Sequence, residues 1–208
     1  MKKKYKIFIG ILILFFCIAA GGFLYYKMAA PPGEEWLAYH NEELISNIDR
    51  QLSGLDIDSI VQNKEKFVIE KEIADIQDTI KAGRLTYEEL TAICLYRIKT
   101  LDQKEHGLNS VLTINPHAMD EARQKDQMYN KRTEVNSEIF GIPVLLKDNI
   151  NTAGSPTSAG AAALADFIPA EDADVAANLK KHGAIILGKN NLSELAGYMS
   201  STAPAGYS

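Results

Sequence analysis

Residues 141–160 read GIPVLLKDNINTAGSPTSAG, and residues 183–191 read GAIILGKNN. The first stretch opens with a short apolar run, Ile142 to Leu146, and stops at Lys147, Asp148 and Asn149. A loop of Gly, Ser, Thr and Ala follows. Between the two stretches, Ala173 to His182 carries a helical pattern, and the second stretch is a wholly apolar run ending in a turn. Strand, helix and strand at this spacing make a βαβ unit, whose parallel strands are buried on both faces and therefore read as continuous apolar runs. The class is α/β, and such units place their sites at the carboxyl ends of the strands. Lys147 stands at one such end.

Upstream of this unit the texture is helical. Residues 35–52 space Leu37, Leu44, Ile45, Ile48 and Leu52 as on one helix face, and residues 67–81 do the same with Ile69, Ile73, Ile76 and Ile80. Gly83 stops that helix. Thr86 caps the next, with Glu89 three residues on, a capping box that satisfies the free N–H groups of a helix start. The new helix runs through Leu90, Ile93, Cys94, Ile98 and Leu101. Ser110 to Asn115 reads as a short strand, and Pro116 opens a helix from His117 to about Tyr129. These residues are core-forming, and none is chemical.

The chain has 208 residues, 46% of them hydrophobic and 24% charged, which is ordinary globular composition and excludes a disordered or collagen-like chain. Its net charge of −5 hides an asymmetry. The first 32 residues carry five lysines and no acid, so the rest holds 17 bases against all 27 acids. An acidic body does not engage nucleic-acid phosphates, and that partner class is set aside. The five lysines include Lys2, Lys3, Lys4 and Lys6, and the apolar run Ile7 to Leu24 follows without a charge. At about 1.5 Å per residue it is long enough to cross a hydrocarbon core. Tyr25, Tyr26 and Lys27 suit the far interface, and the lysine cluster should stay cytoplasmic. The expectation is an N-terminal transmembrane helix over residues 1–27, single-pass in the cell membrane with the body extracellular. Secretion after signal cleavage is the alternative, since small residues lie near 19–21 and 29–30.

Two cysteines, without a C-x-x-C or a Cys/His cluster, support neither a zinc site nor a redox pair. The four histidines have no ligand spacing, so no metal and no cofactor is expected. Gly183 to Lys189 matches the spacing of a phosphate-binding loop, but Asn190 stands where the motif needs Ser or Thr. The supposed loop is also an apolar strand, whose amides are committed to a sheet. Lys147 admits two readings. It is either a surface residue or partner of Asp148, or a desolvated amine able to act as a neutral base.

From about Ile76 onward the chain resembles the N-terminal part of the amidase signature family, which includes the A subunits of glutamine amidotransferases. The resemblance rests on GRLTYEELTAICLYRI, GIPVLLKDNINTAGSPTSAG, DADVAANLKKHGAIILGKNNLSELA and YMSSTAPAGYS. It implies a partial amidase signature fold, a mixed sheet covered by helices, over residues 67–208, with a linker and helical segment at 28–66. It also implies hydrolysis of a carboxylic amide, small-molecule or peptide, without a cofactor. Lys147 then corresponds to the family's catalytic lysine, which takes a proton from a cis-peptide Ser that in turn activates a nucleophilic Ser. Ser200 and Ser201 resemble a loop near the substrate pocket, which implies substrate contacts.

The family's two serines belong to a glycine-rich segment beyond Ser208; Ser155, Ser158, Ser200, Ser201 and Ser208 do not match them by position. The expectation is therefore a fragment, inactive alone, with the missing C-terminal part of the same enzyme as a partner. The alternative is a membrane-anchored, non-catalytic interaction module on a partial amidase scaffold. A tRNA-directed amidotransferase role suits the export signal less well.

Overall fold

Thr86 accepts a hydrogen bond from the Glu89 amide while Glu89 reaches back to the Thr86 amide, so the expected capping box is formed. A computed structural model describes residues 2–29, 40–131 and 137–197 of the chain, and around that cap the order of elements is legible. It comprises α1 (Lys2–Ala29), α2 (Glu42–Leu52), α3 (Ile57–Lys64), α4 (Ile73–Lys81), α5 (Tyr87–Arg97), β1 (Val111–Ile114), α6 (Ala118–Asn130), β2 (Pro143–Lys147), α7 (Asp174–Lys181) and β3 (Ile185–Asn190). The chain divides into two units, residues 1–37 and 38–208.

The first unit contains α1. Its stretch Phe8–Met28 is 21 residues long, apolar, and exposed on every side. By length and composition it is long enough to cross a membrane, at about 1.5 Å of rise per residue.

The second unit is built on a three-stranded sheet in the order β1-β3-β2. β2 runs parallel to β3, and β1 runs antiparallel to it, so the sheet is mixed. β2, α7 and β3 form the βαβ unit expected from the apolar runs. One face of the sheet carries Ile185, Leu187 and Leu145 against Leu44, Ile48, Ala92, Leu95 and Met119 from α2, α5 and α6. The other face carries Leu146 and Ile186 against Ala176 of α7. A second cluster joins α4 and α5 through Ile76, Ile80, Leu90, Ile93 and Phe140, with the Tyr87 ring edge-on to Phe140.

The structure departs from the periodic reading in four places. The apolar spacing at residues 67–81 does not make one helix: Glu65–Phe67 is a single 3₁₀ turn, Glu70 takes φ 57°, and α4 starts only at Ile73. α3 escapes that reading, because Ile57, Ile60 and Val61 alone form too thin an apolar stripe. The helix from Thr86 ends at Arg97 and widens into a π-helical turn, Ile98–Asp102, which leaves Leu101 46% exposed. The helix expected over 35–52 starts only at Glu42, with Asn41 at its N-cap; residues 35–39 lie outside the described ones. Gly188 is required by close approach. A Cβ there would lie 2.1 Å from the Thr113 carbonyl oxygen, where β1 crosses against β3. The phosphate-loop spacing is thus occupied by a strand.

Candidate active site

The sheet's carboxyl edge is where the chemistry collects. β2 is apolar because alternate residues face the two packed sides of the sheet: Leu145 meets the helices α2, α5 and α6, and Leu146 meets α7. Lys147 lies on the side of Leu145, beyond the helical cover, and is exposed; Asp148 lies on the side of Leu146 and is 1% exposed. The parallel register pairs Leu146 with Lys189 and Lys147 with Asn190. It continues past the strand through the Asp148 amide, which donates to the Asn190 carbonyl at 3.0 Å.

Lys189 is the buried lysine of the site. It has 0% exposure and sits at the end of β3 on the α7 side. Its ammonium has three donors and finds three acceptors: the Ile150 carbonyl at 2.8 Å, Thr157 Oγ1 at 2.8 Å, and Asp148 Oδ1 at 3.4 Å. Burial pushes its pKa down from the ordinary lysine value, and the Asp148 carboxylate pulls part of the way back. Asp148 also accepts from the Ser158 amide at 2.9 Å and from the Ser158 hydroxyl. Its own carbonyl accepts from the Ala159 amide at 3.0 Å.

These contacts fold residues 150–161 over the strand ends. Gly160 completes the turn with φ 71°, and a Cβ there would meet the Leu192 carbonyl at 2.6 Å. Asp172 anchors the loop from the helix side, accepting from the Ala153 amide at 2.8 Å and from Lys180 at 2.7 Å. Its carboxyl is desolvated, which alone would raise its pKa, but the hydrogen bonds from Lys180 and Ala153 hold it below the ordinary value.

Of the residues expected from sequence, Lys147 is thus placed at the end of β2 with its amine in solvent. The described residues do not supply the desolvated surroundings envisaged for it, because the burial went to its neighbour Asp148 and to Lys189. Asp148 is buried, and its ion-pair partner is Lys189 rather than Lys147. Ser200 and Ser201 lie outside the described residues. Ser158 joins the cluster as a donor to Asp148, while Ser155 closes a turn with Thr152. Sequence reasoning misses Lys189, although the signal is there. A lysine closing an apolar strand that is buried on both faces needs a partner even more than one at a strand end does.

A cavity of about 1020 Å³ runs along β1 and the 152–156 part of this loop; its lining includes Asn47, Thr113, Thr152 and Lys180, and does not include Lys147. The site is therefore defined by the strand ends. Among the described residues, no group of three or more His, Cys, Asp or Glu side chains is placed to hold a metal ion.

The geometry has relatives. A family model described as Amidase matches residues 89–207. The chain is 36% identical over 125 residues to the A subunit of the glutamyl-tRNA(Gln) amidotransferase of Nitratidesulfovibrio vulgaris, covering 60% of this chain and 24% of that protein. It is 38% identical over 141 residues to a probable amidase of Arabidopsis thaliana, covering 67% and 27%. Among solved structures, an amidase family protein from Bacillus anthracis superposes with a TM-score of 0.75 at 45% identity, over 86% of this chain and 35% of that one. The peptide amidase of Stenotrophomonas maltophilia gives 0.61 at 40% identity, over 65% and 27%. The chain spans about a quarter of the length of the curated relatives it matches. With more than half of its residues matched by the family model, and with the strand, loop and strand of its site inside the matched span, the chain belongs to the amidase signature family.

Proposed function

We propose that these residues form the lysine-bearing part of an enzyme that hydrolyses a carboxylic amide, water adding to give the acid and an amine or ammonia. The observation that carries the reading is Lys147, an exposed amine at the carboxyl end of a parallel strand whose following residue is locked into a buried network. Within the family resemblance, this amine is the base. In its neutral form it takes a proton from a serine, which relays the demand to the nucleophilic serine, and the proton finally reaches the leaving nitrogen. No serine of residues 1–208 matches the two family serines by position, so these residues alone are expected to release no ammonia above background. Ser200 and Ser201 fit the reading as substrate contacts. Small-molecule and peptide amides are both admissible, and the peptide class has support from the likeness to a peptide amidase.

The stretch Phe8–Met28, preceded by a lysine cluster, supports a single-pass anchor with the acidic body extracellular. Signal cleavage and release is the other outcome of the same test. The experiment assays ammonia or amine release by the full gene product that carries these residues, against the 208-residue chain. Turnover by the full product that Lys147→Ala removes supports the reading. Turnover by the 208-residue chain that survives Lys147→Ala overturns it, and inactivity of both favours the non-catalytic, membrane-anchored module.

A further inference from the structure

Lys147 and Lys189 flank the same carboxylate. Lys147 precedes Asp148 in sequence, and Lys189 reaches it from β3, with Nζ 3.4 Å from Asp148 Oδ1. The two lysines differ in every other respect. Lys189 is fully buried and its three donors are matched by three acceptors, whereas Lys147 stands in solvent on the opposite side of the strand. Among the described residues β2 is an edge strand of the sheet, and Asp148 directly follows Lys147 at its end. A base has to keep its amine free of a carboxylate, because an adjacent negative charge holds the proton on.

We propose that Lys189 is a positioning residue for Lys147: by occupying the Asp148 carboxylate beneath the strand, it keeps the neighbouring amine unpaired and directed off the other face. The inference rests on the reading of Lys147 as the base, but its geometry does not. The groups that face Lys189 are Asp148 from the end of β2, and Ile150 and Thr157 from the loop above it; those that face the Asp148 carboxylate are Lys189 and Ser158. Removing the charge of Lys189 leaves one buried carboxylate uncompensated next to Lys147. Removing both charges leaves none.

The test reads the amine directly. The full 208-residue chain, as wild type, Lys189→Gln, Lys189→Met, and each combined with Asp148→Asn, is labelled briefly with acetic anhydride at about pH 9, below the ordinary lysine range. Peptide mass spectrometry then gives the fraction acetylated at Lys147. Lys189→Gln keeps donors for Ile150 and Thr157, so it guards against a fold lost with Lys189→Met, and cooperative thermal unfolding identifies the chains that are folded. Labelling of Lys147 is expected to fall about five-fold in the single variants, since only the neutral amine reacts, and to return to the wild-type level in the double variants. Unchanged labelling in the folded single variants overturns the proposal. So does labelling that stays low in the doubles, which would mark a packing effect that a second core lesion cannot repair. The readout needs no turnover. An active Lys147→Ala enzyme would end the base reading and leave this result standing, while a failed rescue would end this proposal and leave the base reading untouched.

Discussion

At the scale of single residues, the account turns on a division of labour between two lysines at neighbouring strand ends. The Lys147 side chain is exposed. Lys147→Ala is therefore expected to change unfolding free energy by no more than about 0.5 kcal/mol, as measured by urea denaturation. Lys189→Met removes one partner of a buried pair and strands Asp148, so the same measurement should show a loss of about 3–5 kcal/mol. The pH dependence has a definite sign. Burial holds the Lys189 pKa in the folded chain below its ordinary value of 10.5, so between the two values the unfolded chain binds more protons. Stability then rises with pH through that window. Lys125, likewise pushed down by burial, adds to the rise. In Lys189→Met the alkaline rise should shrink, and an unchanged slope would contradict the assignment. Lys147 is legible in the sequence because a K-D-N after an apolar strand is unusual. Lys189 is not, because its motif draws the eye to a phosphate loop and fails as one, which leaves the lysine itself unexplained.

At the scale of elements, caps and cross-element anchors decide where segments begin. Thr86 is readable from its spacing to Glu89. Asp126 is not, since it acts across 38 and 39 residues of chain, accepting from the Glu88 and Tyr87 amides from its place on α6. Each supplies a helix start that helps bury Tyr87, Leu90 and Ile93. Thr86→Ala should cost about 1 kcal/mol, and Asp126→Ala about 1–2 kcal/mol, by thermal or urea unfolding. A silent Asp126→Ala would show that α5 needs no anchor from α6. β1 is set in the same way by Asp102. Burial alone would raise its carboxyl, but hydrogen bonds from Ser110, Gln103 and Val111 overcome that and hold it below 3.8. The stability it contributes is present above 3.8 and is lost as pH falls through the lower folded value, so Asp102→Asn should flatten the acid side of the stability curve. The βαβ unit is legible because buried parallel strands read as unbroken apolar runs. The break at Glu70 is not, because apolar spacing continues across it while the backbone does not.

At the scale of the whole molecule, the two units differ in how their apolar residues are covered. Phe8–Met28 is exposed and, up to Leu24, uncharged and apolar, which water does not favour and a bilayer does. Fractionation should recover the full-length chain with membranes and release it on deletion of residues 1–29; a full-length chain found in the soluble cytosol would contradict the anchor. The body's small mixed sheet and its family are readable from four motifs that cover most of residues 83–208. The residues implied to carry the rest of the chemistry are readable only by resemblance, since periodicity and composition say nothing of which serine reacts. The central claim is that the Lys147 amine takes the proton in amide hydrolysis. Its most direct test is the pH–rate profile of amide hydrolysis by the full gene product, compared with Lys147→Ala and Lys147→Arg. Both variants should lose at least about 100-fold in kcat with the fold intact, because a guanidinium stays protonated and an alanine accepts nothing. A Lys147→Arg enzyme that turns over at close to the wild-type rate would contradict the claim.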